Sequence, residues 1–301
     1  MRVTTQMITS GFSFSLNEHL VRLDREQEMI SSGKKVNRPS DDPTGTSTIL
    51  DLKHRIRANE QYKKNAQDAL MRLGVQENYY NDFQNAITRA KDLAIQGANK
   101  VLSASDLKGI AVEVNQILEH VFSTANKENM DQYVFGGTQT GKLPFKATRN
   151  DQGEITAVEP TGDINKPVYR QIGDDEKMPI STNTQGLLQG DGNVFEILIQ
   201  LRDALRNGDT EKITQSIGDL KNVSEIVIQR LSEVGVHYAH IQEQMNEIDQ
   251  DTLTLTSAMA DLEDTDFAKT MIDLQTEQVA YQAALQVGGQ MIQQSFVNFL
   301  R

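Results

Sequence analysis

Apolar residues at both ends of the chain recur at the spacing of a helix face. In the C-terminal segment, steps of three and four residues form the a/d seam of a coiled coil, made of Met271, Leu274, Gln278, Tyr281, Leu285, Gly288, Ile292, Ser295 and Phe299. Phe296 and Leu300 widen this seam. A similar N-terminal stripe comprises Phe12, Leu16, Leu20, Leu23 and Ile30. We expect each stripe to be one half of an interface, and Gly33 to end the N-terminal helix in the C′ position.

Neither stripe carries enough apolar surface to hold its own helix in water. Burying six large apolar side chains contributes on the order of 10 kcal/mol, whereas ordering about thirty residues costs about 1–2 kcal/mol for each backbone unit. The two ends are therefore predicted to pair with each other and with neighbouring subunits, and to be poorly ordered in the free monomer. The alternative is that both stripes are core faces of a self-contained bundle.

Longer helices are predicted between the two ends. From Ser47, apolar and small residues keep helical spacing as far as Gly97, which predicts a helix of about fifty residues and about 75 Å. Ser105 is the predicted N-cap of the next helix, which reaches about Asn126. Two more helices are predicted at residues 192–207 and 213–248.

The middle of the chain has a different pattern. Between Tyr133 and Leu188, short apolar runs alternate with turns rich in Gly, Asn and Asp, which is typical of β-strands. The predicted fold is therefore mainly α: a long antiparallel helical coiled-coil rod formed by both chain ends, with a small inserted β-rich module. We expect three domains: terminal amphipathic helices at 1–44 with 260–301, a long-helix rod at 45–140 with 190–259, and a small β-rich surface domain at 141–189.

Composition narrows the function. The net charge is −12, with acidic and basic residues mixed along the chain, so no basic stripe is available to bind a phosphate backbone. The absence of cysteine excludes disulfides, thiolate catalysis and cysteine metal sites. No run reaches the roughly 18 apolar residues of a membrane span, and the first residues lack the basic and apolar regions of a cleaved signal. We expect a cytoplasmic protein, or one exported without a cleaved signal.

Three motifs could carry chemistry. Residues 136–142, GGTQTGK, have the spacing of a phosphate-binding loop, but Leu143 replaces the magnesium-binding hydroxyl and Pro144 opposes the required helix. His237 and His240 have a possible metal-ligand spacing, although a solvated helix face is the favoured interpretation. Asp41-Asp42, considered as an acid–base pair, is predicted instead to form an Asx-type turn and to cap the following helix.

A family resemblance rests on two segments. Residues 29–43, MISSGKKVNRPSDDP, resemble the flagellin-family signature, in which a helix ends in a Ser-Gly-Lys turn and Asn-Arg-Pro-Ser-Asp-Asp-Pro follows. This signature turn comprises Asn37, Arg38, Pro39, Ser40, Asp41, Asp42 and Pro43. DTDFA at 264–268 and YQAAL at 281–285 are similar to the C-terminal region of the same family. The chain is thus identified as resembling flagellins over nearly its whole length.

Further details favour one branch of that family. The opening MRVTT, YVFGGT at 133–138 and LPF at 143–145 resemble the proteins that join hook and filament more than flagellin itself, while residues 146–189 match no motif. This resemblance implies a structural, non-catalytic protein without metal or cofactor. It would form a ring of subunits between the hook, through hook-associated protein 1, and the flagellin filament. The alternative is a minor flagellin or filament subunit.

The resemblance also implies a route and a layout. Such proteins leave the cell through the flagellar type III export apparatus and act in the flagellum, where they serve motility. An export chaperone is expected to hold the C-terminal helix in the cytoplasm, and no nucleic acid or membrane partner is expected. The terminal helices would lie in the inner tube of the flagellum and the β-rich module on its outer surface.

Overall fold

The computed structural model describes residues 5–99, 101–162, 164, 166–181, 184–190 and 192–299, and of residues 5, 6, 8 and 291–299 it describes the backbone alone. The helices of the described part are α1 (Thr5–Ser32), α2 (Pro43–Gly97), α3 (Ala104–Ala125), α4 (Val194–Asn207), α5 (Thr210–Glu263) and α6 (Phe267–Phe299). The strands are β1 (Glu128–Asn129), β2 (Gln132–Tyr133), β3 (Phe145–Arg149), β4 (Ile155–Pro160), β5 (Tyr169–Gln171) and β6 (Lys177–Pro179). They form three antiparallel two-stranded sheets, β1–β2, β3–β4 and β5–β6. The mainly α fold is therefore confirmed.

The chain divides into two compact units. The first comprises residues 1–58 and 250–301, so it joins both ends of the chain, and the second comprises residues 59–249. In the first unit, α1 packs against α6. The β-containing segment at 141–189, expected as a domain of its own, is part of the second unit.

The core of the second unit is built from apolar faces of helices with two groups of aromatic rings. Tyr80 and Phe83 of α2 contact Phe135, with ring centroids 5.6 Å and 5.5 Å from it. Phe145 at the start of β3 contacts Phe195 of α4 at 5.5 Å. These rings are almost fully buried, and they join the helices to the segment between α3 and α4.

Arginine side chains attach the hairpins to the helices of this unit through hydrogen bonds and an ion pair. Arg202 of α4 is buried and donates to the carbonyl oxygen of Ile155 at 2.8 Å and to Oδ1 of Asn115 at 3.0 Å. In the β5–β6 hairpin, Arg170 pairs with Asp68 of α2 at 3.0 Å. A buried guanidinium must have its N–H groups hydrogen-bonded. The bond from Arg202 to Ile155 therefore fixes the β3–β4 hairpin on α4.

Most helix boundaries agree with the expected ones, with two corrections, one of which is that α5 extends to Glu263, well beyond the expected end at residue 248. The expected end of α1 is confirmed, since Gly33 has φ 73° directly after Ser32. The N-cap of α3 is Ser103 and not Ser105: Ser103 Oγ accepts from the backbone N–H of Asp106, whose carboxylate accepts from the N–H of Ser103. This capping box satisfies two backbone donors at once, which Ser105 inside the first turn could not do.

None of the helices in the described part combines the length and the hydropathy that a membrane crossing needs.

Candidate assembly interface

The face between α1 and α6 has an unbroken repeat of three and four residues. On α1 the half-buried positions at this spacing are Phe12, Leu16, His19, Leu23, Glu26 and Ile30, and Glu28 and Met29 near the helix end are half-buried as well. On α6 the buried or half-buried positions at this spacing are Thr270, Leu274, Glu277, Tyr281, Ala284 and Gly288, and Met271 and Ala280 beside them are also half-buried. We call the two sets at this spacing the inner seam. The spacing is that of a and d positions, but polar residues occupy several of them.

Phe12 and Gly288 form the closest contact across the inner seam. A Cβ atom placed on Gly288 would lie inside the van der Waals distance of three ring atoms of Phe12. Only a residue without a side chain therefore lets the ring rest on the α6 backbone. The contact pairs the beginning of α1 with the far part of α6, so the two helices are antiparallel.

A polar layer lies further along the inner seam. Oε1 of Glu277 accepts from Nε of Arg22 at 2.9 Å and from Nδ1 of His19 at 2.5 Å. The hydrogen bond from Arg22, followed by that from His19, lowers the pKa of Glu277 although partial burial opposes its ionisation. The carboxylate of Glu277 therefore helps to hold the two helices together at neutral pH.

Glu26, one turn beyond Arg22, is in a less favourable setting. Its Oε2 atom is buried and has no hydrogen-bond partner. Burial, followed by the nearby charges of Glu277 and Asp273, raises the pKa of Glu26. An ionised Glu26 therefore opposes the pairing of α1 with α6.

Apolar residues on other faces of these helices are open to solvent. Met7, Phe14 and Val21 recur every seven residues on α1, and Ile272 and Val279 do so on α6. All five are between 61% and 67% exposed. We call these five residues the outer stripes. A seven-residue repeat of large exposed apolar side chains is typical of a helix face that another helix covers.

The signature turn connects α1 to α2 through carboxylate hydrogen bonds. Oδ2 of Asp41 accepts from the backbone N–H groups of Arg38 at 2.8 Å and Asn37 at 3.1 Å, and these bonds lower the pKa of Asp41. Oδ1 of Asp42 accepts from the N–H of Gly45 at 2.8 Å, in the first turn of α2. The two aspartates therefore order the turn and cap the helix, as the Asx-turn interpretation expects.

A buried carboxylate joins the segment after α1 and helix α2 to the end of α5. Oε1 of Glu263 accepts from Nζ of Lys34 at 2.7 Å and from Nζ of Lys53 at 2.8 Å. Burial opposes its ionisation, but the hydrogen bonds from Lys34 and Lys53 outweigh it and lower the pKa of Glu263. Backbone bonds connect the same segments, from the N–H of Lys35 to the carbonyl of Glu263 at 2.8 Å and from the N–H of Thr265 to the carbonyl of Gly33 at 2.9 Å.

The residues predicted from the sequence as assembly surface fall into three groups. Phe12, Leu16, Leu23, Ile30, Leu274, Tyr281 and Gly288 lie in the inner seam, with Met271 half-buried beside it. Leu20 and Leu285 are 46% and 45% exposed, and Gln278 is exposed. Ile292, Ser295, Phe296 and Phe299 lie in the part of α6 described by backbone alone, and Leu300 lies outside the described residues.

Several interface residues had not been predicted. His19, Arg22, Glu26 and Glu277 were passed over because they are charged or polar, as were Lys34, Lys53 and Glu263. A signal for the seam positions was present, since the steps from Phe12 to Ile30 are regular only if His19 and Glu26 are included. No comparable spacing marks Lys53 or Glu263.

The phosphate-loop and metal interpretations find no support in the geometry. Gly136 and Gly137 are buried, and Gly136 N–H and Gln139 N–H donate to carbonyl groups of the same loop, so these donors are not free to bind a phosphate. His240 faces Glu176, with 3.5 Å between Nε2 and Oε1. Within the ranges given above, no three His, Asp or Glu side chains are grouped as a metal site would require.

Comparison with known proteins finds likenesses to flagellar proteins. The family described as bacterial flagellin N-terminal helical region matches residues 3–140. The flagellar filament 33 kDa core protein of Treponema phagedenis is 25% identical over 287 residues, covering 93% of this chain and 92% of that protein. The family region is thus confined to the N-terminal part of the chain, whereas the likeness to this flagellar filament protein extends over nearly its whole length.

Two further likenesses are to another flagellar protein and to a solved structure. Flagellar hook-associated protein 3 of Escherichia coli is 24% identical over 303 aligned positions, covering 94% of this chain and 95% of that protein. The crystal structure of Bacillus cereus FlgL superposes with a TM-score of 0.56 and 25% identity, and covers 70% of this chain and 99% of that one. The similarity thus extends through both ends of the chain and the segment between them.

Proposed function

We propose that this chain forms the junction ring between the flagellar hook, through hook-associated protein 1, and the flagellin filament. The observation that carries the proposal is the pair of outer stripes. Each large apolar side chain hidden by a neighbour contributes about 1.5–3 kcal/mol. Five such residues at heptad spacing therefore supply a strong drive for helices of neighbouring subunits to pack against α1 and α6.

In this proposal α1 and α6 belong to a longer coiled-coil rod. The inner seam pairs the two helices of one subunit, and the outer stripes, with Leu20 and Leu285 beside them, face helices of other subunits or of flagellin and hook-associated protein 1. The likeness to hook-associated protein 3 is consistent with a place at the junction.

The outer stripes also bear on the proposed route to the flagellum. An apolar stripe on α6 that is exposed before assembly would promote early association. We propose that an export chaperone covers this stripe in the cytoplasm, and that the chain leaves through the flagellar type III apparatus without a cleaved signal.

A charge placed on an outer stripe tests the assembly surface. Val279→Asp should prevent assembly, because a carboxylate buried between subunits without a partner costs several kcal/mol. Gln278→Asp adds the same charge at an exposed polar position of the same helix and should leave assembly intact. Motility in soft agar and filament counts by electron microscopy are the measurements. Normal motility of the Val279→Asp strain would refute the assignment of the stripe.

A second candidate function is that of a minor flagellin. It is favoured by the likeness to the Treponema filament core protein, which is as strong as the likeness to hook-associated protein 3. Deletion of the gene separates the two candidates. Loss of a junction protein leaves bare hooks and flagellin in the culture medium, whereas loss of a minor flagellin leaves filaments largely in place.

A further inference from the structure

We propose that Gly288 determines the register in which α1 and α6 pair, by admitting the ring of Phe12 at one level of the helix only. The competing register lies one helix turn away. It is favoured by the charges on the two helices, so the fit of Phe12 on Gly288 is what excludes it.

The competing register follows from the antiparallel geometry. In the structure, Phe12 lies on Gly288, Arg22 meets Glu277, and the charges of Asp273 act on Glu26. Sliding α6 by four residues along α1 would bring Asp273 to Arg22 and Lys269 to Glu26. It would also place Ala284 beneath Phe12. Such a slide of about one turn exchanges the a and d layers but leaves the same two helix faces opposite each other, so the helices could still pair.

The charges are better matched in the competing register. Oε2 of Glu26 is now buried without a partner, and its neighbours on α6 are carboxylates. After the slide it would face the exposed ammonium group of Lys269, and Arg22 would keep a carboxylate partner in Asp273. His19 and Arg22 both contact Glu277 in the structure, and His19 lies almost one turn before Arg22 on α1. The slide would move Glu277 towards His19, so these two residues would stay close together.

Steric fit opposes the slide. At Gly288 the ring rests directly on the α6 backbone, where no Cβ is tolerated. Under Phe12 in the competing register lies Ala284, whose methyl group would hold the helices apart and open gaps along the rest of the seam. Gly289, the next residue, has open space around it and cannot have this role.

The register matters for the outer stripes. A slide by one turn moves Ile272 and Val279 by about 5.4 Å relative to Phe14 and Val21. The exposed apolar side chains of α1 and α6 would then no longer match the surface of a neighbouring subunit that packs against both helices. This consequence rests on the proposed function, whereas the register itself is a property of the isolated chain.

Thiol bridging in the purified full-length chain reports the register. The natural chain has no cysteine, so introduced pairs are the only reactive thiols. The first pair of variants is Leu16→Cys with Ala284→Cys. Each position lies four residues from the Phe12–Gly288 contact, so the two thiols are close together in the observed register. Leu16→Cys with Ala280→Cys reports the competing one. A short thiol-bridging reagent is applied to both pairs at equal, low protein concentration.

Gly288→Ala should reverse the preference, lowering the ratio of the first bridged product to the second by about tenfold or more. Gly289→Ala is the matched control and should leave the ratio unchanged. Adding Lys269→Glu to Gly288→Ala should restore the first product, because Glu26 would then face a like charge. Phe12→Ala removes the ring without adding bulk, so it should also shift the ratio towards the second pair if Gly288→Ala does not fold.

Two results would overturn the inference: Gly288→Ala and Phe12→Ala both keeping the wild-type ratio, or Gly289→Ala shifting it equally. Motility of the Gly288→Ala strain is scored separately. A shifted register with normal motility would contradict the assembly role of the outer stripes and leave the role of Gly288 intact.

Discussion

The cap of α2 shows how a single small residue permits a local contact. Oδ1 of Asp42 accepts from the N–H of Gly45, and the other carboxylate oxygen occupies the space that a side chain at position 45 would need. The carboxylate satisfies one of the backbone donors that every helix leaves open at its start. It also places negative charge at the positive end of the helix dipole. Asp42 and Gly45 are therefore required together.

Gly45→Ala should destabilise the protein by about 1–2 kcal/mol, because the new methyl group displaces the Asp42 carboxylate and the cap is lost. Gly74→Ala is a matched control in the same helix, where open space surrounds the position. There alanine should stabilise by about 0.5–1 kcal/mol through its higher helix propensity. Urea denaturation followed by circular dichroism measures both, and equal effects of the two variants would contradict the role given to Asp42.

At the level of elements, the β3–β4 hairpin is held on α4 by a charged pair. NH1 of Arg206 donates to Oε2 of Glu154 at 2.8 Å, and NH2 donates to Oε1. This double hydrogen bond, followed by a weaker one from Asn150, lowers the pKa of Glu154 to about 2. The group therefore stabilises the folded state above its ordinary pKa of 4.5, and this stabilisation is lost as the pH falls from 4.5 towards about 2.

Glu154→Gln should lower the stability of the second unit by about 1–3 kcal/mol at pH 7. The difference from the natural chain should shrink as the pH falls below 4.5, because the natural carboxylate then becomes neutral too. Glu113→Gln, which breaks an exposed pair with Arg89, should cost at most about 1 kcal/mol. Chemical denaturation at a series of pH values gives the comparison, and a difference that does not change with pH would contradict the assignment.

The helices and the pairing of the two chain ends could be predicted from the sequence. Of the inner seam, only apolar positions could be predicted. Leu274 and Tyr281 were found because apolar spacing reveals them. At the next positions the sequence favoured Gln278 and Leu285, whereas the structure places Glu277 and Ala284 in the seam. A charged residue enters a seam only if a partner on the other helix meets it, and Arg22 and His19 are 255 and 258 residues away along the chain. Local spacing contains no information on such a distant partner.

The strands were the least predictable elements. Strands were expected between Tyr133 and Leu188, and Ile155–Pro160 forms strand β4, but Val134 and Phe135 follow β2 and are buried in the core. Two-stranded hairpins gain little from their own hydrogen bonds. Their limits are therefore set by side chains that reach the helices, such as Arg202 and Arg206, and these contacts connect distant parts of the chain.

At the scale of the whole molecule, Glu263 joins three segments that are far apart in sequence. Lys34 follows α1, Lys53 lies in α2 and Glu263 ends α5, and all belong to the unit that contains both chain ends. A single buried carboxylate thus connects the segment after α1, helix α2 and the end of α5.

Glu263→Gln should destabilise the first unit by about 1–3 kcal/mol at neutral pH, because two charge-assisted hydrogen bonds are lost. Its lowered pKa means that the natural chain loses this stabilisation only as the pH falls below 4.5. Amide hydrogen exchange should become faster in α1 and at the end of α5, with little change in α3 and α4. Glu28→Gln, which breaks the more exposed pair with Arg38, is the control. Equal acceleration in both units would contradict the local role of Glu263.

Association of this chain through the outer stripes depends on ionic strength, because the chain carries a large net charge. Every copy carries a net charge of −12, so two copies repel each other over about 30 Å in 0.01 M salt but over only about 8 Å at 0.15 M. The attraction between apolar faces does not weaken with added salt in this way. Dilute salt therefore keeps the subunits apart, and physiological salt allows Phe14, Val21 and Val279 to come within reach of a neighbour.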